Sequence, residues 1–190
     1  MSDRRSTTWI RILDDAVGLI VIVVAIVAVL ELAFSFLYAL EVLLIGLIAI
    51  GIAWIVMGVY VLRAYLYARV FMLITGFAAI VISVLNFIFI SLPIEYLVIY
   101  PAIAMLLVGS SRLVLGLFIY EIPLWIRMLQ VLAGILTLNL AAYVFIFPGI
   151  TLTGVIILLV VSFLANGLVR LIMGRTDVKQ KIMQKNEDVS

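Results

Sequence analysis

Apolar residues run through this chain in six blocks of about 20, the length that crosses the hydrocarbon core of a bilayer, and charged or turn-forming residues collect in the gaps between them. The pattern predicts helices near 13–35, 40–62, 70–91, 96–119, 128–148 and 152–174. Their short connections hold Pro93, Pro123 or the Pro148-Gly149 pair, residues that turn the chain between spans. The expected fold is all-α and integral to the membrane. It comprises an amino-terminal segment 1–12, one six-helix membrane domain 13–174 and a polar tail 175–190.

A second pattern lies over the first. Three glycine columns advance in steps of 58 residues: Gly18, Gly76 and Gly134; Gly51, Gly109 and Gly167; Gly58, Gly116 and Gly174. Arginine keeps the same interval at Arg11, Arg69 and Arg127, as does an aromatic at Trp9, Tyr67 and Trp125. A fixed period of this length marks a supersecondary unit that packs against its own copies. Each unit holds two helices, with repeats at about 9–66, 67–124 and 125–174. An even number of crossings returns every hairpin to the same side, so the repeats are parallel and pseudo-threefold symmetry is expected.

Composition places the chain in a membrane. Hydrophobic residues make up 68% and charged residues 12%, against roughly 25% charged in soluble domains. The basic residues lie towards one face of the predicted spans, whereas Glu31, Glu41 and Glu95 mark the other. Because basic residues near span ends favour the cytoplasmic side, the expected location is a cell membrane with both termini cytoplasmic. The net charge of +2 is spread along that face and forms no nucleic-acid-binding stripe. Lys179, Lys181 and Lys185 share the tail with Asp177, Glu187 and Asp188, which reads as a positive-inside anchor that meets membrane lipid. Arg4-Arg5 before an apolar run imitates a signal sequence, but Arg11 and Gly18 belong to the repeat columns, so the first span is expected to be retained.

Small residues identify the packing faces. Between helices in lipid, association depends on close backbone approach at such residues. The glycines of the even helices stand seven apart, on one face after two turns, and Gly18, Gly76 and Gly134 supply a groove on the odd helices. The nine column glycines are therefore read as helix-packing positions. Trp9, Arg11, Tyr67, Arg69, Trp125 and Arg127 stand at the starts of the odd helices, where amphipathic side chains anchor at head-group depth.

The symmetry breaks at two places. In the frame Gly-x-x-Arg-x-x-x-Gly the second and third units carry Arg112 and Arg170, and the first carries Trp54. The first unit also has Asp14 and Asp15, where the others have Met72 and Leu73 or Gln130 and Val131. Arg112 is nine residues before Glu121, about 13 Å along a helix. Charges at such depth are paired or functional. Two arrangements fit: an ion-pair network joining Asp14 or Asp15 to Arg112 or Arg170, or arginines reaching lipid phosphate while the aspartates complement the start of the first helix.

No chemistry is expected of the chain. It has no cysteine or histidine, and Ser83, Asn86, Thr137, Asn139, Ser162 and Asn166 lie within spans without a neighbouring carboxylate. A hydrolase or transferase needs a nucleophile with its base, or metal ligands. No catalytic residue, cofactor or metal is therefore assigned. The absence of a mid-span acid also argues against proton-coupled transport.

With the Arg-x6-Gly starts and the Gly-x2-Arg-x3-Gly exits at Gly109–Gly116 and Gly167–Gly174, the chain resembles the HdeD-like membrane proteins over about 9–174. They share a domain of unknown function built from a similar two-helix repeat, and their bacterial founder is associated with acid resistance. The chain departs from that pattern at Trp54, at Ser35 in the place of the outer proline seen as Pro93, and at Pro148, which is shifted by three. The resemblance implies a non-enzymatic protein with a structural or stress-related role. Two alternatives stand beside it: an accessory subunit of a larger membrane complex, and a permeation unit for a small solute or ion. Partners are accordingly membrane lipids, further copies of the chain or other membrane subunits.

Overall fold

A computed structural model describes residues 3–62, 65–89, 93–120, 122–147 and 152–175. Among them the chain is all helical: α1 (Asp3–Leu32), α2 (Phe36–Val56), α3 (Leu66–Ile88), α4 (Ile94–Phe118), α5 (Leu124–Ile146) and α6 (Leu152–Gly174). Each contains a stretch long and apolar enough to cross a membrane. Arg63, Glu121, the Pro148-Gly149 turn and the tail beyond Arg175 lie outside the described residues.

Helix limits differ from the sequence expectation at the ends rather than in number. The first helix begins at Asp3, ten residues before the apolar block, because backbone hydrogen bonding continues through the polar residues that precede it. The third and fifth begin at Leu66 and Leu124, so the aromatics and arginines of the starts are already helical. Pro123 sits immediately before α5, where its fixed φ and missing N–H are tolerated. At its far end α2 widens into a π-helical turn, Met57–Val61, closed by the bond from Leu62 N to the Met57 carbonyl at 3.1 Å.

The helices are not equivalent in burial. Of the most apolar window of each span, 56% is buried in α2, α4 and α6, against 39%, 33% and 33% in α1, α3 and α5. The even helices touch one another, and each odd helix lies between two of them: α1 between α6 and α2, α3 between α2 and α4, α5 between α4 and α6. The inner face of α2 shows why. Leu40, Leu43, Leu47, Ile50, Trp54 and Met57 recur at alternating spacings of three and four, and all are buried, which is the seam of a supercoiled bundle. The outer faces stay apolar, with Leu19, Val23, Ile26, Ile74 and Phe77 exposed as a lipid-facing helix requires.

The glycine faces do not close the hairpins. They close the joins between hairpins. A Cβ added at Gly51 would stand 2.7 Å from the Gly76 carbonyl oxygen, and one at Gly76 would stand 2.7 Å from that of Gly51. Gly109 and Gly134 oppose each other in the same way at 3.1 and 2.9 Å, as do Gly18 and Gly167 at 3.1 and 2.9 Å. Each contact joins an even helix to the odd helix of the next unit, and the last returns α6 to α1. Seven residues on, each exit glycine meets the residue three before the odd-helix glycine, as antiparallel helices require: Leu73 covers Gly58, Val131 covers Gly116 and Asp15 covers Gly174.

Such contact depends on the missing side chain, since backbone rather than a flexible chain end occupies the space. We therefore expect Gly76→Ala to destabilise the protein by about 1–3 kcal/mol, the range for overpacking a close interface. Gly134→Ala, with its nearest atom at 2.9 Å, should cost less. Reversible unfolding in mixed detergent micelles measures both. A Gly76→Ala protein as stable as the natural chain would mean that α2 and α3 do not meet backbone to backbone.

Candidate functional site

Polar groups inside this bundle gather in one layer. It is built from two columns whose members differ between units. Trp54, Arg112 and Arg170 occupy the same position on the inner faces of α2, α4 and α6, and all three are buried, at 1%, 1% and 3% exposure. On the odd helices, Asp14, Met72 and Gln130 form the facing column and are buried as well.

The two columns meet in register. The Arg112 Nη1 donates to Gln130 Oε1 at 2.7 Å, eighteen residues further along the chain. Met72 stands at the same offset from Trp54. In the third unit the offset passes the end of the repeat and falls on the first, where Arg170 Nη1 donates to Asp14 Oδ1 at 3.0 Å. Asp14 therefore serves the arginine of the third unit, which the closure of α1 on α6 brings alongside it. Hydrogen bonds thus join arginine to amide and arginine to carboxylate, and the same offset relates tryptophan to methionine.

Asn166 completes the set. Arg112 Nε donates to its Oδ1 and Nη2 to its backbone carbonyl, the latter at 2.9 Å. The amide nitrogen of Asn166 turns back to the Ser162 carbonyl at 2.7 Å and to Thr137 Oγ1 at 3.2 Å. Gln130 Nε2 donates to the sulfur of Met173. The ring of Trp54 bridges the two cations: the guanidinium carbon of Arg170 lies 4.8 Å from its centroid and that of Arg112 lies 5.7 Å away. Inside low-dielectric surroundings such cation–π contacts are each worth about 2 kcal/mol. They also hold two like charges at one level of the bundle.

Of the two aspartates weighed from the sequence, only Asp14 reaches an arginine of this layer. Asp15 stands against Gly174, one turn beyond Arg11 on the same face of α1. Arg112 pairs with neither. Its partners are Gln130 and Asn166, residues that a search for carboxylates passes over. The signal for Gln130 lay in its column, since it replaces Asp14 one unit before the ring closes.

The start column has a role that position at the interface alone does not supply. Arg11 Nε donates to the Gly174 carbonyl at 3.0 Å, and Arg127 Nε to that of Gly116 at 2.8 Å. Carbonyls at a helix end lack partners within the helix, and a cation there complements the dipole. Arg127 also lies over the ring of Tyr120 at 4.6 Å. At the corresponding join α2 ends in its π turn, and no bond from Arg69 to Gly58 is found among the described residues. Trp9 meets Tyr60 edge to face at 5.3 Å, whereas Tyr67 and Trp125 are exposed at the bundle surface.

What the site can do chemically is hold charge. Among the described residues its guanidinium groups outnumber its carboxylates. Asn86 is buried elsewhere in the bundle, and Asn139 faces outward, donating to the Ile135 carbonyl at 2.9 Å. No protein-family model, curated protein or solved structure matches the chain.

Proposed function

We propose that this is a non-enzymatic, self-contained membrane protein of the HdeD-like type, with a structural or stress-related role in the cell membrane and both termini on the cytoplasmic side. Its three two-helix units are read as parallel repeats about a threefold pseudo-axis. The observation that carries the reading is the mutual approach of Gly18 and Gly167, because it engages the first helix with the last and leaves none of the three joins open. The close-approach faces are thus occupied within the chain. Orientation rests on Arg11, Arg127 and Arg175 at one end of the bundle.

An accessory-subunit role is the second reading. It is favoured by an apolar groove of about 980 Å³ on the outside of α3 and α4, lined by Tyr65, Val70, Phe71, Ile74, Val114 and Phe118. Permeation along the axis receives less support, because Leu43, Leu47, Ile50, Met105 and Phe163 are large and fully packed on the inner faces.

Gentle solubilisation from native membranes, followed by size determination and mass spectrometry, separates the first two. Recovery alone, as a monomer or a symmetric homo-oligomer, is the expected result. A foreign subunit in stoichiometric amount overturns the self-contained reading and directs attention to the α3–α4 groove.

A further inference from the structure

The geometry points to a binding site for a small monovalent anion on Arg170, with a carboxylate-like pair of oxygens as the matching ligand. A guanidinium offers two edges for paired hydrogen bonds. At Arg170, Nη1 is taken by Asp14, while Nε and Nη2 are buried and find no acceptor among the described residues. Those two N–H groups make up one complete edge, the fork that accepts two oxygens side by side. The indole Nε1 of Trp54 is also buried without an acceptor among the described residues, and its ring lies under the same guanidinium at 4.8 Å. Three buried donors without an acceptor among the described residues thus belong to two side chains in contact.

Charge leads to the same ligand. Among the described residues the layer contains two guanidinium groups and one carboxylate, because the hydrogen-bond acceptors of Arg112 there are the amide oxygens of Gln130 and Asn166 and a backbone carbonyl. Asp15 stands against Gly174, and its buried Oδ1 meets no donor of this layer among the described residues. A water molecule would satisfy the donors but not the charge, and uncompensated charge within a membrane span is costly. A monovalent anion satisfies both. Arg170 is four residues from the end of α6 at Gly174, about 6 Å along the helix. The fringe of Arg11, Arg127 and Arg175 at that end draws anions towards it. The inference is independent of whether the protein acts alone or as a subunit.

The test uses the full chain in detergent, with sodium formate as probe and sodium gluconate at equal ionic strength as reference. Formate should raise Tm in a saturable way that gluconate does not reproduce. With Trp9 and Trp125 replaced by phenylalanine, emission from Trp54 should shift over the same concentration range. Trp54→Phe keeps the stacked ring but removes one donor, and should raise the half-saturating formate concentration roughly tenfold. Arg170→Lys keeps the charge but loses the fork, and should abolish the saturable response. A rise that is unsaturable or equal in gluconate overturns the site. So does the absence of any response, which would leave the edge to water or to Asp15. A half-saturation point unchanged in Trp54→Phe also overturns it, whether or not Arg170→Lys folds.

Discussion

Trp54→Arg, which would make the exit column identical in all three units, is expected to be the most damaging single substitution in the protein. It would put a third guanidinium into a layer that already holds Arg112 and Arg170 with one carboxylate. The residue facing it would be Met72, which is fully buried and offers no strong acceptor. The change would also remove the ring that lies 4.8 and 5.7 Å from the two existing cations. A charge buried in a span without a partner costs about 3 kcal/mol on insertion scales, and the lost cation–π contacts add to that. Reversible unfolding in mixed micelles should show a loss of at least about 3 kcal/mol. Adding Met72→Asp, at the offset that joins Arg112 to Gln130, should recover part of it. A Trp54→Arg protein with natural stability would mean that the three positions do not share a desolvated layer.

Asp14→Asn should be the next most harmful change. It keeps the shape and a carbonyl oxygen for the 3.0 Å bond from Arg170, but it removes the only anion found against that buried cation among the described residues. Breaking one side of a buried pair typically costs 3–5 kcal/mol, so a loss of about 3 kcal/mol is expected in the same unfolding assay. Asp15→Asn should cost less than Asp14→Asn in that assay, because Asp15 reaches no arginine of the layer among the described residues. Replacing the pair together, Asp14→Leu with Arg170→Met, should return most of the lost stability, because a packed apolar pair avoids the desolvation penalty that ions must overcome. Equal effects of the two asparagine substitutions would show that Asp14 has no special claim on Arg170. If the double replacement were as unstable as Asp14→Asn alone, the ionic pair itself would be stabilising.

Several features were legible because they depend on local chemistry. The six spans followed from the bilayer's demand for apolar length, and they differ from the observed helices mainly at starts such as Asp3 and Leu124, where hydrogen bonding outruns the apolar block. The glycine columns were legible as packing faces because lipid rewards small residues at helix contacts. Their partners were not. Gly51 meets Gly76 across a join instead of meeting its own hairpin partner, and that choice depends on the order of helices around the bundle. Gln130 and Asn166 were overlooked as partners of Arg112 for a related reason. An amide in a span looks like a local hydrogen-bonding residue until a neighbouring helix brings a guanidinium to it.

The linear chain by itself determined an all-helical membrane architecture, the 58-residue interval, the basic end and the place where the pattern is broken, because each is set by residues close in sequence or by the solvent around them. Tertiary structure alone decided what the break is for. Asp14 and Arg170 are 156 residues apart, and only the packing of α1 on α6 turns one unit's extra acid into another unit's counter-charge. The same closure set Trp54 against both arginines and left one guanidinium edge buried beside it. Charge balance in a desolvated layer is a property of all the helices that enclose it.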